Sequence, residues 1–311
     1  VLEVVAGVCT KGMTETGLPE PETPAAIIID FISDWIEMLR GQLVHMGYQL
    51  GATEQKQRIV MKFFNVRRRR IVQRPRTVLT SKEFSCPPEH EDALREFNER
   101  TTRGEDLTPF QSKWLLDADY NDGLLSDWNI HHFHLSSLAD ADKPVFRKRT
   151  WQLLFAFVTD DSMLLIDVMP HGSWASQRLI EILHSNWPER LQRWRVAGVL
   201  GSERETSESD RLMLRKRVID LTQVRDGTVY APIGGGSASS GASVDAVEAA
   251  DRATAVVRGW EEYVRSEAQA IVTAIRANGR EPGNPPRFKL VVWGDSAFAV
   301  EQDSKSALLL E

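Results

Sequence analysis

The strongest constraint on the fold of this chain is a change of period in its middle. Asn129–Leu135, Thr150–Thr159 and Met163–Val168 are strand-like apolar runs. Thr159-Asp160-Asp161-Ser162 fits a tight hairpin between the last two. Together they predict a short antiparallel meander. On its first strand, three of the seven histidines fall within the four residues His131-His132-Phe133-His134. Residues two apart on a strand share a face, so His132 and His134 are expected to project side by side.

The flanking sequence has helical spacing. Ile28, Ile32, Trp35, Ile36, Leu39 and Leu43 predict an amphipathic helix within 25–46, with a second over 52–64. Val72–Leu79 contains Pro75 and reads as an edge segment. Pro87-Pro88-Glu89 opens a helix to Arg103, and Thr108-Pro109 opens another with Phe110, Trp114 and Leu115 on one side. Asn121-Asp122-Gly123 signals a turn. Ser173 or Ser176 is expected to cap a helix carrying Leu179, Ile180, Ile182 and Leu183. Further on, Val218–Val224 and Gly227–Ala231 suit a hairpin. A helix is expected from Val244 to about Asn278, with strands at Phe288–Trp293 and Ala297–Glu301. The expected class is α+β: a helical N-terminal region, a central antiparallel β-meander and a smaller α+β C-terminal module. The division reads as an extended lead-in over 1–26, a domain over 27–195 and the module over 196–311.

Composition narrows the function classes. The 42% hydrophobic and 26% charged content is that of a globular protein, and no apolar run has the ~18 residues of a membrane span. Val1–Cys9 lacks the basic n-region of a signal peptide, and two cysteines are too few for a disulfide framework. A cytoplasmic protein without membrane partners is the expectation. The net charge of −6 argues against a uniformly basic nucleic-acid binder, but the charge is uneven. From Lys56 to Lys82 there are ten Lys or Arg and no acid, including Arg67, Arg68, Arg69, Arg70, Arg74 and Arg76. Such a run suits a polyanion, since each neutralised phosphate releases counterions. It equally suits a solvated helix end paired with acids elsewhere.

The histidine strand carries the chemistry. RNA cleavage requires removing a proton from the 2′-hydroxyl, giving one to the leaving 5′-oxygen, and placing positive charge by the phosphorane. His132 and His134 are expected to act as acid and base, Arg149 to hold phosphate bidentately, Arg147 to share its face, and His171 to replace either histidine. No cofactor is needed. The alternative is a catalytic zinc held by His132, His134 and His171, with Asp167 as a further oxygen ligand. A third possibility is a non-enzymatic regulator whose basic segment binds nucleic acid or an acidic partner.

Helices followed by a meander bearing His and Arg resemble the barnase–colicin–RelE-like group of ribonuclease toxins. The resemblance covers residues 85–190 and is carried by Trp128, His132, His134, Arg149 and His171. It implies a toxin or phage-defence ribonuclease, with RNA as partner and an antitoxin or larger complex as protein partner. Outside that span, the loop Gly234–Gly241 has a strand-to-helix context suited to phosphate but lacks the Lys-Ser/Thr of a P-loop. It reads more simply as a flexible linker with Ser243 capping the next helix. Trp174, Trp187 and Trp194 suit core packing, with base stacking as the alternative.

Overall fold

A computed structural model describes residues 26–199, 207–214 and 221–311. The expected lead-in over 1–26 lies, but for its last residue, outside them, as do the first residues of the hairpin expected at Val218. The class is α+β. From the N-terminus come β1 (Ile28–Ile29), α1 (Phe31–His45), α2 (Lys56–Arg69), β2 (Thr77–Thr80), α3 (Glu91–Arg103) and α4 (Gly123–Trp128). The centre holds β3 (Ile130–His134), β4 (Gln152–Val158), β5 (Ser162–Pro170), α5 (Arg178–Asn186) and α6 (Pro188–Leu191). The remainder is α7 (Glu208–Leu214), β6 (Thr222–Gln223), β7 (Val229–Tyr230), α8 (Val244–Ser266), α9 (Ala268–Ala277), β8 (Arg287–Trp293), β9 (Ser296–Glu301) and β10 (Ala307–Leu310). Among the described residues no helix is long and apolar enough to cross a membrane.

The chain forms two compact units, one of residues 61–249 and the other of residues 1–60 with 250–311. The cut expected at 195/196 therefore moves. The physical reason is a long-range pairing: β1 adds parallel to β8, so the first strand and the last three share one sheet, in the order β1-β8-β9-β10.

In the smaller unit, α1 starts where Asp30 accepts the Ser33 N–H at 2.9 Å, an N-cap interaction. Asp34 of the same helix accepts the Leu290 N–H of β8 at 2.9 Å. Glu301, at the end of β9, is fully buried and accepts backbone N–H groups from Gly283, Arg287, Asp303 and Ser304. Burial pushes its carboxyl upward, and these hydrogen bonds outweigh it, leaving its pKa below the usual value. The helix expected to run unbroken from Val244 to about Asn278 ends at Ser266 and restarts at Ala268. Ser266 there donates its hydroxyl to the Tyr263 carbonyl, a bond that competes with the helical ladder.

The larger unit is built on the expected meander. Its sheet runs β2-β5-β4-β3, antiparallel within the meander, with β2 added parallel at the edge, as the proline-bearing segment predicts. Both faces are covered, which is why β4 and β5 read as near-continuous apolar runs. Phe133, Leu154, Ala156 and Leu165 face Phe97 and Phe110 on one side. Ile130, Leu153, Phe155, Phe157, Leu164 and Ile166 face α5 and Trp128 on the other. The helix expected over 52–64 starts later and runs further, over Lys56–Arg69, and Arg67, Arg68 and Arg69 form its last turn, where cations suit the helix dipole. Neither Ser173 nor Ser176 caps α5, which begins after Gln177 without a side-chain cap. Ser243 also makes no capping bond, its hydroxyl being buried without a partner.

The loop after β7 is seated, not a loose linker. Gly234 and Gly236 donate their N–H groups to Asp127 at 3.0 Å and Ser126 at 2.8 Å. A Cβ at Gly234 would collide with the carbonyl oxygens of Leu125 and Ser126, both backbone atoms that cannot swing aside. Gly234→Ala is expected to destabilise this unit by about 1–3 kcal/mol through overpacking. Thermal melting measures it, and a wild-type melting temperature would show that the loop does not rest on α4.

Candidate active site

The second apolar face of the central sheet continues past Ile130 into His132 and His134, which stand opposite Phe155 and Leu153. At that end the apolar cover gives way to an open cavity of about 720 Å³. His132, His134, Arg149, His171 and Trp174 line it, as do the segment Tyr120–Leu124 and the loop Ser237–Gly241. The period-two expectation for the two histidines is met.

His132 is the middle residue of β3, with its Nδ1 buried and 3.9 Å from Asp122 Oδ2. The other oxygen of Asp122 accepts the Leu125 N–H at 3.1 Å, so capping α4 holds the carboxylate in place. Trp174 packs edge-on against His132 at 4.7 Å and against His171 at 5.0 Å. Burial lowers the pKa of His132, Asp122 opposes that shift, and the charges of His171 and Arg149 add to it. His132 is therefore neutral near pH 7 and has a carboxylate on one side.

His134 is only 4% exposed, and its Nδ1 accepts the Thr150 N–H at 3.3 Å. That bond leaves the proton of the neutral ring on Nε2. Burial, with smaller contributions from His132, Arg149 and His171, pushes its pKa down to about 3. With that value its ring is neutral at pH 7 and presents an Nε2–H donor, not an imidazolium. His171 lies at the open end, where Arg149 Nη2 donates to its Nε2 at 2.8 Å. Burial and then Arg149 lower its pKa.

Other expected site residues lie elsewhere. Arg147 pairs with Glu96, donates to the Ser137 carbonyl at 3.0 Å and lies over the Phe110 ring. It precedes β4, so the alternation expected to align it with Arg149 does not apply. Asp167 accepts from Arg178 at 2.8 Å and from the Ser85 N–H at 3.0 Å, away from the cavity. Among the described residues, no three of His, Cys, Asp and Glu converge as a metal-ligand set. His132 and His134 stand with ring centres 6.3 Å apart and planes perpendicular.

The basic run is mostly internal. Arg68 donates to the carbonyls of Leu125 at 2.9 Å and Gly234 at 2.8 Å and pairs with Asp245. Arg69 is buried and donates to Trp114 at 3.0 Å and Asp117 at 2.6 Å. Arg76 is buried and donates to Thr159 and Val72, both at 2.8 Å. Arg74 pairs with Asp160 at 2.9 Å, Arg70 is half-buried, and Arg67 is exposed. These side chains do not form one surface for a polyanion, because loop carbonyls and acids occupy most of them. Sequence reasoning missed Asp122, read only as a turn, and the Gly-rich loop, read as a linker. Nothing local marks either one as a cavity wall.

Two outcomes follow. Arg69→Gln should cost about 1–3 kcal/mol through the loss of its charged hydrogen bonds to the Trp114 and Asp117 carbonyls, whereas Arg67→Gln should leave stability within about 0.5 kcal/mol; equal urea midpoints for the two variants would contradict the internal role. His131 is likewise pushed down to about 3 by burial. With folded values for His131 and His134 near 3, against 6.5 for an ordinary imidazole, the unfolded chain binds protons in that interval that the folded chain refuses. Their stabilisation is full above about pH 6.5 and is lost as pH falls toward 3. His134→Gln should flatten that acid limb in urea titrations at pH 7 and pH 4.5 (about neutral and mid-interval); an unchanged difference between the two would refute the assignment.

No protein-family model matches this chain, and comparison with curated proteins and with solved structures finds no match.

Proposed function

We propose that the cavity is the active site of a metal-independent phosphodiesterase that cleaves RNA through its own 2′-hydroxyl. One observation carries this reading: a carboxylate-backed neutral imidazole, His132, and a guanidinium–imidazole pair, Arg149 and His171, line the same open cavity. Those are the groups that 2′-O-transphosphorylation requires.

In this reading His132 is the base. Its Nδ1–H faces Asp122, so Nε2 takes the proton of the 2′-hydroxyl, and the carboxylate stabilises the imidazolium that forms. The 2′-oxygen bonds to phosphorus and the bond from phosphorus to the 5′-oxygen breaks, giving a 2′,3′-cyclic phosphate and a 5′-hydroxyl. Arg149 turns its N–H groups from His171 to the phosphate oxygens, where two parallel bonds hold the developing charge. Released beside that anion, His171 is favoured in its protonated form and gives its proton to the 5′-oxygen. His134 offers its Nε2–H to a non-bridging oxygen. The resemblance to the ribonuclease toxins belongs to this same reading, with an inhibitory protein as the corresponding partner.

His132→Ala and His171→Ala should each lower the cleavage rate by about 10²–10⁴ while retaining the wild-type melting temperature. Activity should fall as pH drops, because protonation removes the base form of His132. Asp122 raises the pKa of His132, so Asp122→Ala should shift that acid limb to lower pH and lower the plateau. EDTA should leave the rate unchanged. Full activity of His132→Ala on RNA would end the proposal, and loss of activity in EDTA would favour the three-histidine zinc alternative.

A further inference from the structure

Trp114 is 56% exposed, and it lines the same cavity. Its ring is stacked on Tyr120 with centres 5.3 Å apart and planes 13° from parallel. The Arg69 guanidinium lies over the Tyr120 ring, 5.7 Å from its centre. Arg69 in turn donates to the Trp114 carbonyl at 3.0 Å, so one buried cation supports both layers. Tyr120 stacks on the indole, and more than half of the residue stays exposed to the cavity side or solvent, an apolar area on which a flat ligand can stack. A smaller recess brings Trp114 and Tyr120 together with Asp122 and His132. Asn121, between Tyr120 and Asp122, also lines the cavity and offers both a donor and an acceptor.

We infer that Trp114, stacked on Tyr120, is a platform for one unpaired nucleobase of the substrate next to the His132 catalytic group, with Asn121 facing the base edge. The inference rests on the phosphodiesterase reading and adds the substrate class, a single-stranded or looped RNA with a base free to leave its own stack. A base inside a duplex presents no free face, so paired RNA is excluded from this position. Stacking accepts any base, because each has a π-face, so the platform sets strandedness more strongly than sequence.

The test uses the full chain and two non-cleavable probes, a 2′-O-methyl hexanucleotide and the same backbone with abasic sites. Fluorescence anisotropy should show the wild type binding the base-bearing probe about 5- to 150-fold more tightly, the usual worth of one stacked base. Trp114→Ala should bring that ratio to about 1 without weakening abasic binding, since phosphate contacts are untouched. Trp114→Leu, which keeps apolar volume without the ring, should do the same, and Trp114→Phe should retain part of the ratio. A wild-type ratio near 1, a ratio that survives Trp114→Leu, or no binding of either probe would overturn the platform. Cleavage of unmodified RNA is scored separately. Cleavage with a ratio near 1 removes the platform and leaves the phosphodiesterase, whereas a Trp114-dependent ratio without cleavage keeps the platform and removes the phosphodiesterase.

Discussion

Burial of the central sheet on both faces is the constraint on which the rest of the larger unit depends. β4 and β5 have almost no exposed side chain, so they must lie inside, and helices and turns must cover both sides. β3 is the edge strand of the meander and carries the polar side chains. His132 and His134 share the face of Ile130, Leu153 and Phe155, and the cavity opens at their end of it. The histidines therefore stand at the boundary between a dry core and an open site. That boundary lowers their pKa values, because burial disfavours the imidazolium and nearby cations add to the effect.

The opposite wall of the cavity depends on arginines. From the last turns of α2, Asn65 donates to the carbonyls of Ala118 and Tyr120, Arg69 to those of Trp114 and Asp117, and Arg68 to those of Leu125 and Gly234. The carbonyls of Trp114, Asp117 and Leu125 each accept one local N–H, from Asp117, Tyr120 and Asn129, and the arginines fill a second lone pair; the others belong to loops, where buried backbone acceptors need a partner. A guanidinium has five donors in a fixed plane and can serve several carbonyls at once. A cluster of arginines without nearby acids is thus a means of holding loops as well as a mark of polyanion binding. Arg76 shows the same use at the hairpin between β4 and β5, where it holds the Thr159 carbonyl.

The smaller unit repeats this solution with the opposite charge. Glu301 is buried at the end of β9 and gathers four backbone N–H groups from two turns. Asp34 and Glu261 each accept one backbone N–H, at Leu290 and Phe31. Carboxylates placed this way join α1 to β8 through Asp34 and α8 to the start of α1 through Glu261. In both units, then, charged side chains satisfy the backbone where strands and helices end.

Local sequence determined the α+β class, the meander, its turn at Thr159–Ser162 and the shared face of His132 and His134. Each depends on contacts between near neighbours or on a period of 2.0 or 3.6 residues, and such periods are visible in any single chain. Tertiary structure alone decided that Asp122 stands beside His132, that Arg149 meets His171 and Arg147 does not, and that Trp114 and the loop Ser237–Gly241 border the same cavity. It also decided that β1 joins β8, which displaced the expected domain boundary. These pairings join residues from ten to more than two hundred positions apart, and their register is selected by how the covered faces of the sheet pack. No periodicity records that packing, because the energy that selects it resides in contacts between elements and not within any one of them.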